Sequence, residues 1–403
     1  MKREIILVLH SLAVGGAERR LSSVANYIAE RGYPVTVLLL DNPVVKFEMH
    51  PAVRVVCVNQ RPDLTEYDPA KCSLFQMERP VRTGLRDKLR LRLAHASGLK
   101  AADLAEKELY FRQTCAAPLE AYFRQRPEAV VASFMTVPNI VTMMAAWNLP
   151  NRVLFADTTD VATEYPPEHP FCVLRKKYYS RAQGALLQTP NQLEFYSFLP
   201  AVNKKVIPNF INSEQLPVPF VGVRKKEIVN FCRLSATKNL PLLIDAFSLL
   251  LKDYPDYMLS IIGDGEERDV LLNHITKLKL NQSVKILPFE KQIHDRILDS
   301  AMFVSSSDRE GISNSMLEAM AIGLPCVCTD CAGGGARMMI EDHENGLLVP
   351  MRDVDALYKA MKEVIETPGL ADKLSRNAVK IRERLRPDVI CQQMLDAILG
   401  ENE

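Results

Sequence analysis

Short, mainly apolar runs recur along the chain and alternate with segments long enough for helices. In the first half they fall at 5–9, 35–40, 129–133, 153–156 and 185–188. A strand without a polar face must be covered on both sides, which is the environment of a parallel sheet flanked by helices. The pattern then breaks off. Pro208-Asn209-Phe210-Ile211-Asn212, followed by Pro217, Pro219 and a basic stretch at 221–226, shows no apolar periodicity and marks a boundary. It restarts with apolar runs at 228–231, 258–262, 284–287, 302–305 and 326–329. The expectation is an α/β chain of two doubly wound Rossmann-like domains, 1–208 and 225–385, facing across a cleft. A linker at 209–224 joins them, and a C-terminal helix at 386–403 crosses back to the first. A length of 403 residues suits two to three domains at roughly 150 residues each.

Charge narrows the partners. Lys plus Arg number 50 against 49 for Asp plus Glu, a formal net charge of +1, so bulk electrostatic capture of nucleic acid is not expected. The local exception is 79–100, where Arg79, Arg82, Arg86, Lys88, Arg90, Arg92 and Lys100 face one acid, Asp87. Val81, Leu85, Leu89 and Leu93 recur every four residues through it, an apolar stripe if helical. Such a helix either lies on an anionic membrane or grips a pyrophosphate, or is a solvated helix packed on its domain by the leucines. No apolar run reaches the ~18 residues of a membrane span. The run at 5–9 has no small-residue cleavage site and is followed by Gly15-Gly16, so it reads as a buried strand in place of a signal peptide. Nine cysteines, an odd number, make no disulfide framework. The expected location is cytoplasmic, with a peripheral contact on the inner face of the membrane.

The densest chemistry lies at 308–325. Asp308-Arg309-Glu310-Gly311-Ile312-Ser313-Asn314-Ser315 leaves the run at 302–305 and opens a helix near Ser313, which ends at Gly323 with Pro325 beyond. A glycine turn entering a helix presents backbone N–H groups and a partial positive pole to an anion. Ser313, Asn314 and Ser315 add donors or a cap. Glu310 precedes the helix and Glu318 lies within it, so one carboxylate can face a sugar and the other a ribose, with phosphate between. Arg233 and Lys238 leave the first strand of the second half together and suit a diphosphate, one as a fork and one as a point charge. Gly263-Asp264-Gly265-Glu266 and Gly333-Gly334-Gly335-Ala336-Arg337 follow further strands. All these turns fall at the carboxyl edge of one sheet, where open α/β sheets bind ligands.

In this ordered set the second half resembles the retaining glycosyltransferases of family 4, which have the GT-B fold. The resemblance extends through Ile322-Gly323-Leu324-Pro325 and Glu344-Asn345-Gly346-Leu347-Leu348-Val349-Pro350. In the first half, Gly15-Gly16-Ala17-Glu18 resembles the family's Gly-Gly turn, and Ile207-Pro208-Asn209 its interdomain element. It implies transfer of a hexose or N-acetylhexosamine from a nucleotide diphosphate sugar, UDP ahead of GDP, to a glycan or lipid-linked glycan with retention at the anomeric carbon. No metal or other cofactor is implied. Arg233, Lys238 and Glu310 would be the catalytic residues, the cations receiving the diphosphate and Glu310 contacting the donor sugar. Glu318 would hold the ribose, with Gly263, Gly311, Ile312, Ser313, Asn314 and Ser315 about the donor, and Gly15 and Gly16 would bring the first domain's backbone to the phosphate or acceptor.

Family members often carry a His or a Ser-Glu-Arg-Asn type stretch after the strand matching 153–156. This chain reads Ala156-Asp157-Thr158-Thr159-Asp160, a departure from the family pattern that leaves the acceptor-activating group at this position unassigned. Asp157 is a candidate to assist the acceptor hydroxyl, against the plainer reading of a turn-capping Asp. His10 is the one histidine expected near the cleft. Cys326-x-Cys328-x-x-Cys331 lacks a matching Cys/His pair for zinc, and Asp353-Val354-Asp355 reads as a helix cap. The rivals are a catalytically silent nucleotide-sugar binder and an NAD-dependent oxidoreductase. Neither Gly15-Gly16 nor Gly263-x-Gly265 completes the dinucleotide spacing.

Overall fold

The computed structural model describes all residues except 1, 14, 60–67, 69, 76–82, 159, 163, 291 and 401–403. The chain divides into two compact units, Met1–Leu187 with Leu193–Ile207 and Ile390–Glu403, and Gln188–Gln192 with Pro208–Val389.

Unit 1 is built on eight parallel strands: β1 (Ile5–Leu9), β2 (Val35–Leu39), β3 (Val53–Cys57), β4 (Ser73–Leu74), β5 (Val130–Phe134), β6 (Val153–Ala156), β7 (Gly184–Leu187) and β8 (Asn203–Val206), in the order β4-β3-β2-β1-β5-β6-β7-β8. β1, β2, β5, β6 and β7 are buried at every position, as their mainly apolar sequence requires, with Thr36 and Ser133 buried among the apolar side chains. β3, β4 and β8 were not expected. β8 reads Asn-Lys-Lys-Val and lies at an edge, where one side stays open to water and polar residues suffice. The last helix, Pro387–Leu399, belongs to unit 1 from Ile390 on. Tyr27 Oη donates to Gln392 at 2.9 Å, and Arg152 Nε to the Ile398 carbonyl at 3.1 Å.

The basic stretch forms the helix Leu85–Ala96, followed by Leu99–Phe111. Arg79, Val81 and Arg82 lie outside the described residues. The first helix buries none of its residues. Leu85, Leu89 and Leu93 are 85%, 57% and 61% exposed, so packing of the leucines on the domain does not occur. The hairpin is tied down by charge. Glu108, on the second helix and buried, accepts from Arg90 at 2.6 Å, Lys177 at 2.8 Å and Tyr178, with Arg112 at 3.5 Å. Burial alone would raise its carboxyl pKa, but Arg90, Lys177 and Tyr178 together hold it down to about 2. A carboxylate held below its unfolded value contributes stability that is present above the ordinary Glu range, about 4.3, and is lost as pH falls toward 2. Glu108→Gln should therefore lower the melting temperature at pH 7 and flatten the loss of stability between about pH 4.5 and 2. Parallel acid limbs for wild type and variant would contradict this.

Unit 2 has six parallel strands, β9 (Lys225–Phe231), β10 (Met258–Ile262), β11 (Val284–Leu287), β12 (Ser300–Ser305), β13 (Cys326–Thr329) and β14 (Leu347–Val349), in the order β11-β10-β9-β12-β13-β14. The order runs one way from β9 and the other way from β12. Connections after these two neighbours leave toward opposite sides of the sheet, opening a crevice at their carboxyl ends.

Candidate functional site

Lys238 and Glu310 meet at that crevice. Phe231, the last residue of β9, leads into a turn that ends in the short helix Ala236–Lys238. Asn239 then adopts a left-handed conformation (φ 43°) and caps the helix Leu240–Asp253. Glu310 comes from the turn after β12, and the two turns are stitched together. Asp308 N donates to the Thr237 carbonyl at 2.9 Å, Ser306 Oγ to the Lys238 carbonyl at 3.0 Å, and Asn239 Nδ2 to Asp308 at 3.0 Å. This places the Lys238 ammonium directly against the Glu310 carboxylate, both side chains less than a quarter exposed. Burial alone would depress the lysine pKa. The Glu310 charge outweighs it and holds the ammonium above its ordinary value, so Lys238 is a fixed cation at neutral pH.

The glycine loop after β13 supports Glu310 from beneath. A Cβ on Gly333 would fall within 3.0 Å of the Glu310 carbonyl, and one on Gly335 within 3.0 Å of the Gly311 carbonyl and the Ile312 Cα. The close approach that these glycines permit is to the chain itself. Thr329 Oγ1 donates to the Ser307 carbonyl at 2.7 Å from the same side. A small pocket beneath the turn is lined by Ser305, Ser307, Ser313 and Thr329 together with Glu310 and Gly311.

The expected helix runs Asn314–Ala321. Ser313 is its N-cap, accepting from Met316 N at 3.4 Å, so its hydroxyl serves the helix. Asn314 Oδ1 accepts from Asn209 Nδ2 at 3.0 Å, and Asn209 Oδ1 accepts from Gln188 Nε2 at 2.6 Å. Gly311 and Ile312 are buried in the turn, and Ser315 is partly exposed beside Asn314. Glu318 is 22% exposed, one turn along, and its Oε2 lies 3.1 Å from His294 Nε2. His294 was missed. It stands alone in a five-residue helix, Ile293–Ile297, and no local sequence signal connects it to a carboxylate 24 residues on.

Arg233 and Lys238 hold different carboxylates. Arg233 is 75% exposed and lies 3.2 Å from Glu266. The Gly263–Gly265 turn packs on the backbone beside Arg233. A Cβ on Gly263 would strike the Cys232 carbonyl, and one on Gly265 the Leu234 carbonyl; both glycines have positive φ (151° and 159°).

In unit 1, Gly15 (φ 140°) caps the helix Gly16–Glu30, and the Glu18 carboxylate occupies the space its Cβ would need. Burial raises the Glu18 pKa, opposed by its own backbone N–H and by His10. His10 Nδ1 is 3.8 Å from Asp41. Asp157, just after β6, is buried. It accepts from Asn139 Nδ2 at 3.0 Å and from Tyr196 Oη, and burial pushes its carboxyl pKa up. Cys326, Cys328 and Cys331 are buried thiols that form no disulfide. Asp353 caps the helix Val354–Glu366, accepting from Ala356 N at 2.8 Å, as expected.

Known proteins sharpen this geometry. Residues 214–381 match the model of the family described as glycosyl transferases group 1. The chain is 26% identical, over 98% of its own length and 99% of the relative's, to the N-acetylgalactosamine-N,N'-diacetylbacillosaminyl-diphospho-undecaprenol 4-alpha-N-acetylgalactosaminyltransferase of Campylobacter jejuni. It is 30% identical to an uncharacterized glycosyltransferase of Haemophilus influenzae over 38% of this chain, and spans only 43% of that relative. Among solved structures, Anabaena HepE in complex with UDP superposes with a TM-score of 0.69 at 18% identity, covering 98% of this chain and 99% of that one. The second unit thus matches the glycosyl transferases group 1 family across residues 214–381, on a chain whose fold is GT-B.

Proposed function

We propose that the chain is a family 4 glycosyltransferase acting with retention. It moves a hexose or N-acetylhexosamine from a nucleotide diphosphate sugar, UDP preferred, to a glycan or lipid-linked glycan. The observation that carries the reading is the Lys238–Glu310 ion pair at the strand-order reversal of unit 2, with Glu318 on the next helix. Departure of the nucleoside diphosphate places developing negative charge beside Lys238, Arg233 and the start of the helix Asn314–Ala321. A fixed donor aimed at such charge is worth about 3 kcal/mol. Glu310 accepts hydrogen bonds from the donor sugar's hydroxyls, and Glu318 from the ribose. Because these cations supply the counter-charge, EDTA should leave transfer intact, and strict dependence on magnesium or manganese would contradict that part of the mechanism.

UDP is supported by the HepE complex, and a lipid-linked acceptor by the name of the Campylobacter relative. The exposed Leu85, Leu89 and Leu93 among Arg86, Lys88 and Arg92 fit a peripheral contact with an anionic membrane. Among the described residues no helix is long and apolar enough to cross one. Replacing the three leucines by Ser should abolish co-sedimentation with anionic vesicles, and unchanged sedimentation would remove the membrane contact. The reading itself is tested by melting temperature with UDP, GDP, ADP and NAD, since a ligand of the folded state raises it. A rise with UDP is expected. A rise with NAD alone would overturn the assignment in favour of an oxidoreductase.

A further inference from the structure

We propose that His294 is a positioning residue for Glu318, holding that carboxylate in the orientation in which it receives the ribose hydroxyls of the nucleotide. This rests on the donor reading above and adds a residue to it. A carboxylate only accepts hydrogen bonds, so the 3.1 Å contact with His294 Nε2 fixes the imidazole as donor, with its proton on Nε2.

The ring is itself held. Ile293 and Ile297 are buried at 6% and 1% exposure and seat the short helix that carries it. Its edge meets Phe231 at 6.0 Å and 90°, and Phe231 packs on Phe303 at 5.2 Å. His294 is 17% exposed and Glu318 22%, so each side chain is mostly enclosed yet keeps some surface open to a ligand. Phe231 is the residue from which the Arg233–Lys238 turn departs, and Phe303 belongs to β12, which leads to Glu310. The imidazole therefore links Glu318 to Phe231 at the end of β9, the strand from which the Lys238 turn departs, and through Phe231 to Phe303 of β12. Losing that contact removes one of the bonds that orient Glu318 before nucleotide binds, and the ordering it supplied must then be made up on binding.

The experiment measures affinity for UDP, 2′-deoxy-UDP and 3′-deoxy-UDP by calorimetry in wild type, His294→Ala, His294→Gln and Glu318→Ala, with the melting temperature of each variant as a check on folding. The expected result has three parts. His294→Ala lowers UDP affinity about 10-fold, the scale of losing a hydrogen bond to a charged group. It shrinks the gap between UDP and the deoxy nucleotides toward that of Glu318→Ala. His294→Gln, which keeps an N–H donor, recovers most of the gap. In turnover the loss should appear in KM for the donor more than in kcat, as for an interaction made equally before and during reaction. A deoxy gap unchanged in His294→Ala while Glu318→Ala abolishes it overturns this inference and leaves the donor reading standing. Absence of a gap in wild type, or of any UDP binding, overturns the ribose assignment of Glu318 and the inference with it.

Discussion

Lys238→Ala should reduce sugar transfer by about 10²–10³-fold, the cost of removing one preorganised donor from a developing anion. The lysine is placed by backbone contacts that survive the change, since Ser306 Oγ and Asp308 N bind main-chain carbonyls of its turn. The same substitution leaves the mostly enclosed Glu310 without its counter-ion, so part of any stability loss comes from the orphaned carboxylate. The double variant Lys238→Ala/Glu310→Gln separates the two effects. It should recover the melting temperature lost by Lys238→Ala and recover no activity. Single-turnover rates and thermal melts of both variants make the measurement. Near-wild-type turnover in Lys238→Ala would remove the lysine from the mechanism.

Gly335→Ala should be nearly as damaging, acting through the chain's own backbone. Gly335 begins the helix Gly335–Met339 without a positive φ, and alanine would ordinarily favour a helix there. Here the new Cβ collides with the Gly311 carbonyl and the Ile312 Cα, which are backbone and cannot turn aside as a side chain would. The Glu310–Gly311 turn must move. We expect about 1–3 kcal/mol of lost stability from overpacking, and about 100-fold lower turnover, since a 1 Å displacement of a positioned group costs that much. Equal melting temperatures together with equal turnover would show that the glycine loop does not set the position of Glu310.

The sequence exposed the architecture where burial dictates composition. β1, β2, β5, β6 and β7 are covered on both faces, so their apolar runs were readable. β8 was missed because an edge strand tolerates Lys204 and Lys205, and β14 because three residues carry no period. Among candidate site residues, the Glu310 turn, the Ser313-started helix and the Arg233–Lys238 turn were legible because each follows an apolar strand and contains turn-forming or capping residues. What the sequence did not disclose is which groups meet. Lys238 pairs with Glu310 across 72 residues and Arg233 with Glu266 across 33. His294 reaches Glu318 from a five-residue helix. Such pairings are set by strand order, and a reversal between β9 and β12 leaves no mark in local spacing. The leucines of the basic helix show the converse limit. A four-residue period announced an apolar face but could not tell a packed face from one open to solvent.

We propose that the β-phosphate of a nucleotide is received by Arg233 and Lys238, the cations of the turn that follows β9. Calorimetric titration of UDP and UMP into wild type, Lys238→Ala and Arg233→Ala tests it most directly. Removing the β-phosphate should cost wild type about 100-fold in affinity, the worth of charged hydrogen bonds to that group, and the cost should fall to a few-fold in Lys238→Ala. Equal affinity of wild type for UDP and UMP, or an undiminished difference in both variants, would contradict it.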